Sequence, residues 1–109
     1  MRIISQNTLK NFWKKYADSE QPLKAWYDFT KKSNWDNHNK LKMQVPDASI
    51  INNKRVVFNI KGNDYRLVVD IEYSIKIVFI VWIGTHAQYD KIDIKNLSYD
   101  KTNKNKKRT

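Results

Sequence analysis

The chain has no cysteine, two prolines and only two glycines among its 109 residues, and each scarcity removes a class of chemistry. Without a thiol there is no disulfide, no thiolate zinc site and no cysteine nucleophile. Gly62 and Gly84 are too few to build a glycine-rich loop around a nucleotide's phosphates. A nucleophile elbow, a zinc-type histidine cluster and a glycosidase-like carboxylate pair are missing as well. The longest apolar run, residues 77–83, is far shorter than the roughly 20 residues that span a bilayer. The opening Met1-Arg2-Ile3-Ile4-Ser5-Gln6 turns polar too early for a signal-peptide core. The expectation is a cytoplasmic protein working without membrane, metal or cofactor.

What the chain does have is positive charge and aromatic bulk. Lys and Arg number 21 against 11 Asp and Glu, a formal net charge of +10 with a sequence pI near 9.8. Such an excess attracts polyanions, nucleic acid first among them. The plainer reading of the same numbers is a soluble protein of lysine-rich composition. Four Trp, six Tyr and 40% hydrophobic residues suffice for one modest core, and the length suits a single domain.

Hydrophobic spacing divides the chain into a helical half and a strand half. After the short apolar Arg2-Ile3-Ile4, Ser5 suits an N-cap, and Leu9, Phe12, Trp13 and Tyr16 follow at i, i+3, i+4, i+7. Lys10, Lys14 and Lys15 take the opposite face. A second stripe of Leu23, Trp26, Tyr27 and Thr30 begins near Pro22, a residue suited to a first helical turn, and ends near Ser33 and Asn34. Residues 35–45 are polar and lysine-rich, with a short helix expected around residues 40–44.

From residue 49 onward the pattern becomes β-branched with a period of two. Arg55–Ile60, Tyr65–Glu72 and residues 76–83 read as an antiparallel meander, the first turn being Lys61-Gly62-Asn63-Asp64. In the middle strand Tyr65, Leu67, Val69 and Ile71 form the core face, leaving Arg66, Val68, Asp70 and Glu72 on the other. Gly84 ends the last strand. Residues 1–94 are taken as the domain and residues 95–109 as a flexible basic tail, which either adds contact to phosphates or merely solubilises.

His86 is the better placed of two histidines, with Tyr89 and Asp90 three and four residues on, so one helical turn brings the three side chains together. Its plain alternative is a hydrogen-bonded cap. His38, among Asn37, Asn39 and Lys40, reads as a surface residue. RNA is cleaved without metal when a base takes the 2′-hydroxyl proton, an acid protonates the leaving 5′-oxygen, and cations stabilise the phosphorane-like transition state. His86 can fill either proton role. Tyr89 can fill one if cationic neighbours assist its phenol. Arg66 can clamp two phosphate oxygens, or instead pair with Asp70 on its own strand face. Arg55, Lys61 and Lys91 are candidate RNA contacts.

Two blocks carry a resemblance to a known family. Phe58-Asn59 and Gly62-Asn63 lead to Arg66, and Thr85-His86 lead to Tyr89-Asp90. In that order they resemble the HigB toxins of bacterial type II toxin–antitoxin systems, within the RelE-like superfamily. Phe12-Trp13 and Pro22-Leu23-Lys24-Ala25-Trp26-Tyr27 resemble that family's two N-terminal helices, so the likeness covers residues 1–94. It implies an α+β fold of RelE-like type, two N-terminal helices packed on a twisted, mainly antiparallel β-sheet. It further implies a ribosome-dependent endoribonuclease, an mRNA interferase, that cleaves translated mRNA. The implied partners are mRNA, ribosomal RNA and a HigA-like helix-turn-helix antitoxin through which operator DNA is bound. Carried over by position, the family's catalytic set falls on Arg66, His86 and Tyr89, and Asp90, which completes the block, joins Arg55, Lys61 and Lys91 as an RNA-binding candidate. One departure stands out: many relatives carry arginine at the position of Val81. Two other readings stay open, a non-catalytic RNA- or ribosome-binding module, and an inactive toxin acting only with its antitoxin in operator repression.

Overall fold

A computed structural model describes residues 1–98; the expected tail beyond residue 98 lies outside the described residues. The observed elements are β1 (Arg2–Ile4), α1 (Asn7–Lys15), a 3-10 turn (Ala17–Ser19), α2 (Glu20–Lys32), α3 (His38–Gln44), β2 (Ser49–Ile50), β3 (Arg55–Ile60), β4 (Tyr65–Glu72), a second 3-10 turn (Tyr73–Ile75), β5 (Ile77–Thr85) and α4 (His86–Tyr89). The five strands form one sheet in the order β1-β5-β4-β3-β2. β1 runs parallel to β5 and every other pairing is antiparallel, so the architecture is α+β with a mainly antiparallel sheet.

The helices cover one face. Leu9 of α1, Leu23 and Trp26 of α2 and Leu41 of α3 share a single core with Phe58, Tyr65, Leu67, Val69, Ile71, Val78 and Ile80. The alternation read in β4 is therefore the alternation the sheet uses. Trp35, in the segment read as polar, is fully buried beneath α2 and bonds Gln44 through its indole nitrogen at 2.8 Å. His38 is not a free surface residue: its ring nitrogens meet the Tyr73 hydroxyl at 2.6 Å and the Asn52 carbonyl at 2.9 Å. It clips the start of α3 to the β4–β5 turn.

The face turned away from the helices carries a second, smaller cluster. Val57, Val68 and Val81 are buried there, with Ile51, Trp82, Tyr89, Ile94 and Leu97 packed against them. Because Leu97 joins this cluster, packing continues past residue 94. A bulge shapes the same face. Val68 pairs with Trp82 and Val69 with Ile80, which leaves Val81 as an extra residue in β5. Val81 and Trp82 consequently both belong to the outer cluster, while Ile80 and Ile83 pack with the main core.

Candidate active site at the β4–β5 end

Arg66 sits opposite Asn59 of β3 and Gly84 of β5, on the outer face and next to the end of the sheet. The chain then turns from strand to helix at Thr85. Thr85 and Gln88 form a capping box: the Gln88 amide donates to Thr85 Oγ1 at 3.1 Å and the Thr85 amide donates to Gln88 Oε1 at 2.9 Å. The residues after Thr85 are thus wound into the short helix α4.

The β3–β4 turn completes the rim. Lys61 and Gly62 both take left-handed backbone angles, φ 52 and 63, and the Asp64 amide closes the turn on the Lys61 carbonyl at 3.1 Å. The Asp64 carbonyl receives the His86 amide at 3.0 Å, which docks the start of α4 on this turn. Arg66 Nη1 donates to the Asn63 carbonyl at 3.0 Å, and its guanidinium carbon lies 5.8 Å from the centre of the Tyr89 ring. His86 Nε2 approaches Asp90 Oδ1 at 3.7 Å, with both side chains more than half exposed. The turn of α4 thus brings His86 to Asp90, while Tyr89, which packs on the outer cluster, meets Arg66 of β4.

The remaining candidates are placed differently. Lys61 is held by two carboxylates, Asp64 Oδ2 at 3.1 Å and Asp18 Oδ2 at 3.3 Å. These contacts, Asp64's hydrogen bond foremost, raise its pKa above the usual lysine value. Lys91 lies two residues past the end of α4 and is exposed; its ammonium has no partner among the described residues. Arg55 does not join the site. It is 4% exposed, grips Asp70 through Nε at 2.7 Å and Nη2 at 2.8 Å, and donates from Nη1 to the Ile94 carbonyl at 2.9 Å. Its forked donors are spent on fixing β3 to β4 and to the chain after α4. Asp70 is thereby Arg55's partner, not Arg66's.

Trp82 and Gly84 carry no catalytic pattern in the sequence, yet they pack against each other beside Arg66 and Tyr89. A Cβ built on Gly84 would lie 2.3 Å from Trp82 Cη2 and 2.5 Å from Cζ2, so the indole lies against the backbone of Gly84. Its centre is 6.4 Å from that of Tyr89. The only advance signal was the Trp-x-Gly spacing, whose meaning depends on the bulge. Among the described residues no three His, Asp or Glu side chains gather as metal ligands, and no helix is long and apolar enough to cross a membrane.

The chain is similar to curated proteins over nearly its whole described length. It is 28% identical over 94 residues to a protein named mRNA interferase HigB of Escherichia coli O6:H1 (strain CFT073), an overlap covering 84% of this chain and 91% of that one. Over 92 residues it is also 28% identical to mRNA interferase toxin HigB of Escherichia coli K12 and to mRNA interferase HigB of Shigella flexneri, covering 83% of this chain and 88% of each relative. A family profile described as HigB toxin, RelE-like toxic component of a toxin–antitoxin system, matches residues 19–92, a span holding Arg66, His86 and Tyr89. The chain belongs to the HigB family of RelE-like toxins.

Proposed function

We propose that this chain is a ribosome-dependent endoribonuclease that cleaves messenger RNA during translation, using Arg66, His86 and Tyr89 without a metal. The observation that carries the reading is the convergence of these three residues at one end of the sheet, Arg66 5.8 Å from Tyr89 and His86 on the same turn of α4. The names of the relatives, mRNA interferases, support the substrate.

In this mechanism the 2′-oxygen of one nucleotide attacks the adjacent phosphorus, the P–O5′ bond breaks, and a 2′,3′-cyclic phosphate forms. The attacking hydroxyl's proton goes to a base and the leaving oxygen takes one from an acid, the two roles being shared between His86 and Tyr89. Arg66 presents forked donors to the non-bridging oxygens, where charge accumulates in the transition state. Asp90 orients His86 through their 3.7 Å approach. Lys91 is the free lysine nearest in sequence to α4 and contacts the RNA backbone; Lys61 does so only by exchanging Asp18 or Asp64 for phosphate.

The partners in this reading are mRNA, the ribosome's RNA and a HigA-like helix-turn-helix antitoxin, with operator DNA reached through the antitoxin and the cytoplasm as the place of action. A second reading, an inactive toxin working only in operator repression, draws on Val81, which is buried in the outer apolar cluster where an arginine of the family would stand.

Primer extension on translated messages in the presence of EDTA separates the two. New 5′ ends phased with codons, lost in His86→Ala and Arg66→Ala, are the expected result. Their absence from the parent, or their persistence in both folded variants, would overturn the assignment.

A further inference from the structure

We propose that the Trp82 indole is the seat on which one base flanking the scissile bond stacks, making Trp82 a specificity-determining residue of this site. The inference rests on the cleavage reading above and adds to it a residue outside the catalytic set.

Three observations converge on Trp82. First, strict alternation after Ile80 would send position 82 into the core beneath the helices; the extra residue Val81 sends the tryptophan to the outer face instead. Second, Gly84 does not need to be glycine for its backbone, since its φ is not in the left-handed region. It needs to be glycine for space: any Cβ there would enter the indole ring at 2.3 Å. The sequence thus reserves, directly opposite Arg66, a place for a flat ring. Third, the indole remains partly exposed, and its N–H has no hydrogen-bond partner among the described residues. The ring packs against the Val57, Val68 and Val81 cluster, with Tyr89 tilted at 47° beside it.

Tyr89 therefore neighbours both the phosphate clamp, with Arg66 5.8 Å from its ring, and the Trp82 indole, 6.4 Å away. Single-stranded RNA is bound by this combination of donors for the backbone and flat rings for splayed bases. A phosphate at Arg66 leaves an adjoining base within a nucleotide's reach of Trp82. Stacking is tolerant of base identity but graded by stacking strength, so the seat biases which base lies there without a hydrogen-bonding code.

The test compares the parent, Trp82→Phe, Trp82→Leu and His86→Gln in a reconstituted translation system, using messages with an abasic ribonucleotide on one or the other side of the cleavage site. A parallel binding arm uses a labelled single-stranded oligoribonucleotide hexamer, intact or carrying one abasic position. Stacking predicts that Trp82→Leu lowers binding and cleavage about ten-fold, that Trp82→Phe recovers most of the loss, and that the parent loses a similar amount on one abasic position. That abasic change should cost Trp82→Leu nothing further. The proposal is overturned if Trp82→Leu and the parent cleave alike while His86→Gln is inactive, or if abasic RNA penalises both proteins equally. It is also overturned if Trp82→Leu alters only neutralisation by the antitoxin. Failure of the cleavage reading is seen separately, as a parent that makes no new 5′ ends; the hexamer arm then still decides whether Trp82 seats a base. Because the abasic arm uses the parent protein, a folding defect in Trp82→Leu does not obscure the outcome.

Discussion

The Arg66 guanidinium faces the Tyr89 ring at 5.8 Å, joining a strand residue to a helix residue 23 positions later in the chain. Arginine serves this contact in two ways lysine cannot, with a planar group that lies on the ring and a fork that matches two phosphate oxygens. Arg66→Lys keeps the charge and loses both. We expect it to lower mRNA cleavage at least about ten-fold, with Arg66→Ala relieving growth arrest altogether. Growth after induction without antitoxin, with toxin abundance matched by blotting, checks this; full toxicity of Arg66→Lys would show that point charge alone suffices.

Arg55 should behave as a structural residue. Both it and Asp70 are almost completely buried as side chains, 5% and 11% exposed, and removing one leaves the other charged, dry and unpaired. Asp70→Asn or Arg55→Met is expected to destabilise the fold by about 3–5 kcal/mol, and the paired change Arg55→Met with Asp70→Leu to recover much of it. Urea unfolding of the three variants measures both. An Arg55→Met protein of parental stability but reduced RNA affinity would return Arg55 to the RNA-contact set.

This pair also shows what the sequence made legible. The meander, the core face of β4 and the His86-Tyr89-Asp90 turn follow from spacing alone, because periods of two and 3.6 act over a few residues. Partner choice does not. Arg66 and Asp70 share a strand face but lie about 13 Å apart along it; the β3–β4 register sets Arg55 directly opposite Asp70 instead. The parallel pairing of β1 with β5, the bulge at Val81 and the burial of Trp35 are likewise long-range outcomes. At α1 the helix begins one residue beyond the expectation, with Gln6 as cap and Ser5 at φ 73.

A pH response is built into the strut between the helices and the β3–β4 turn. The Tyr65 hydroxyl donates to Asp18, which also meets Lys61. The hydrogen bond from Tyr65 is the main cause holding the Asp18 carboxyl below its ordinary value, and the same bond with burial pushes the Tyr65 phenol up to about 12. A depressed carboxylate contributes stability above its unfolded value, near 3.8, which is lost as pH falls through the folded value. A raised phenol contributes stability below its unfolded value, near 10, which is lost as pH climbs toward about 12. Melting temperatures of the parent should fall at both ends, and Tyr65→Phe should lower the plateau while flattening the alkaline fall. An unchanged alkaline limb in Tyr65→Phe would assign that loss to other groups.

Gly84 and Trp82 make the sharpest structural prediction, because the conflict is one of space between two residues. Gly84→Ala places a methyl within the indole ring and also within 2.7 Å of Gln88 Oε1, the side chain that caps Thr85. The glutamine can rotate away at the expense of one capping bond. The indole cannot do so without leaving its seat on the Val57, Val68 and Val81 cluster. We expect Gly84→Ala to destabilise by about 1–3 kcal/mol, the usual range for overpacking. Trp82→Leu alone should cost stability through lost burial, yet it opens room for the methyl. Adding Gly84→Ala to Trp82→Leu should therefore cost clearly less than adding it to the parent, a positive coupling read from a double-mutant cycle of unfolding free energies. Strict additivity would mean that the indole does not lie against Gly84 in solution, and the stacking seat would lose its geometric basis. Coupling in stability together with weakened RNA binding by Gly84→Ala would tie the glycine to function through the ring it accommodates.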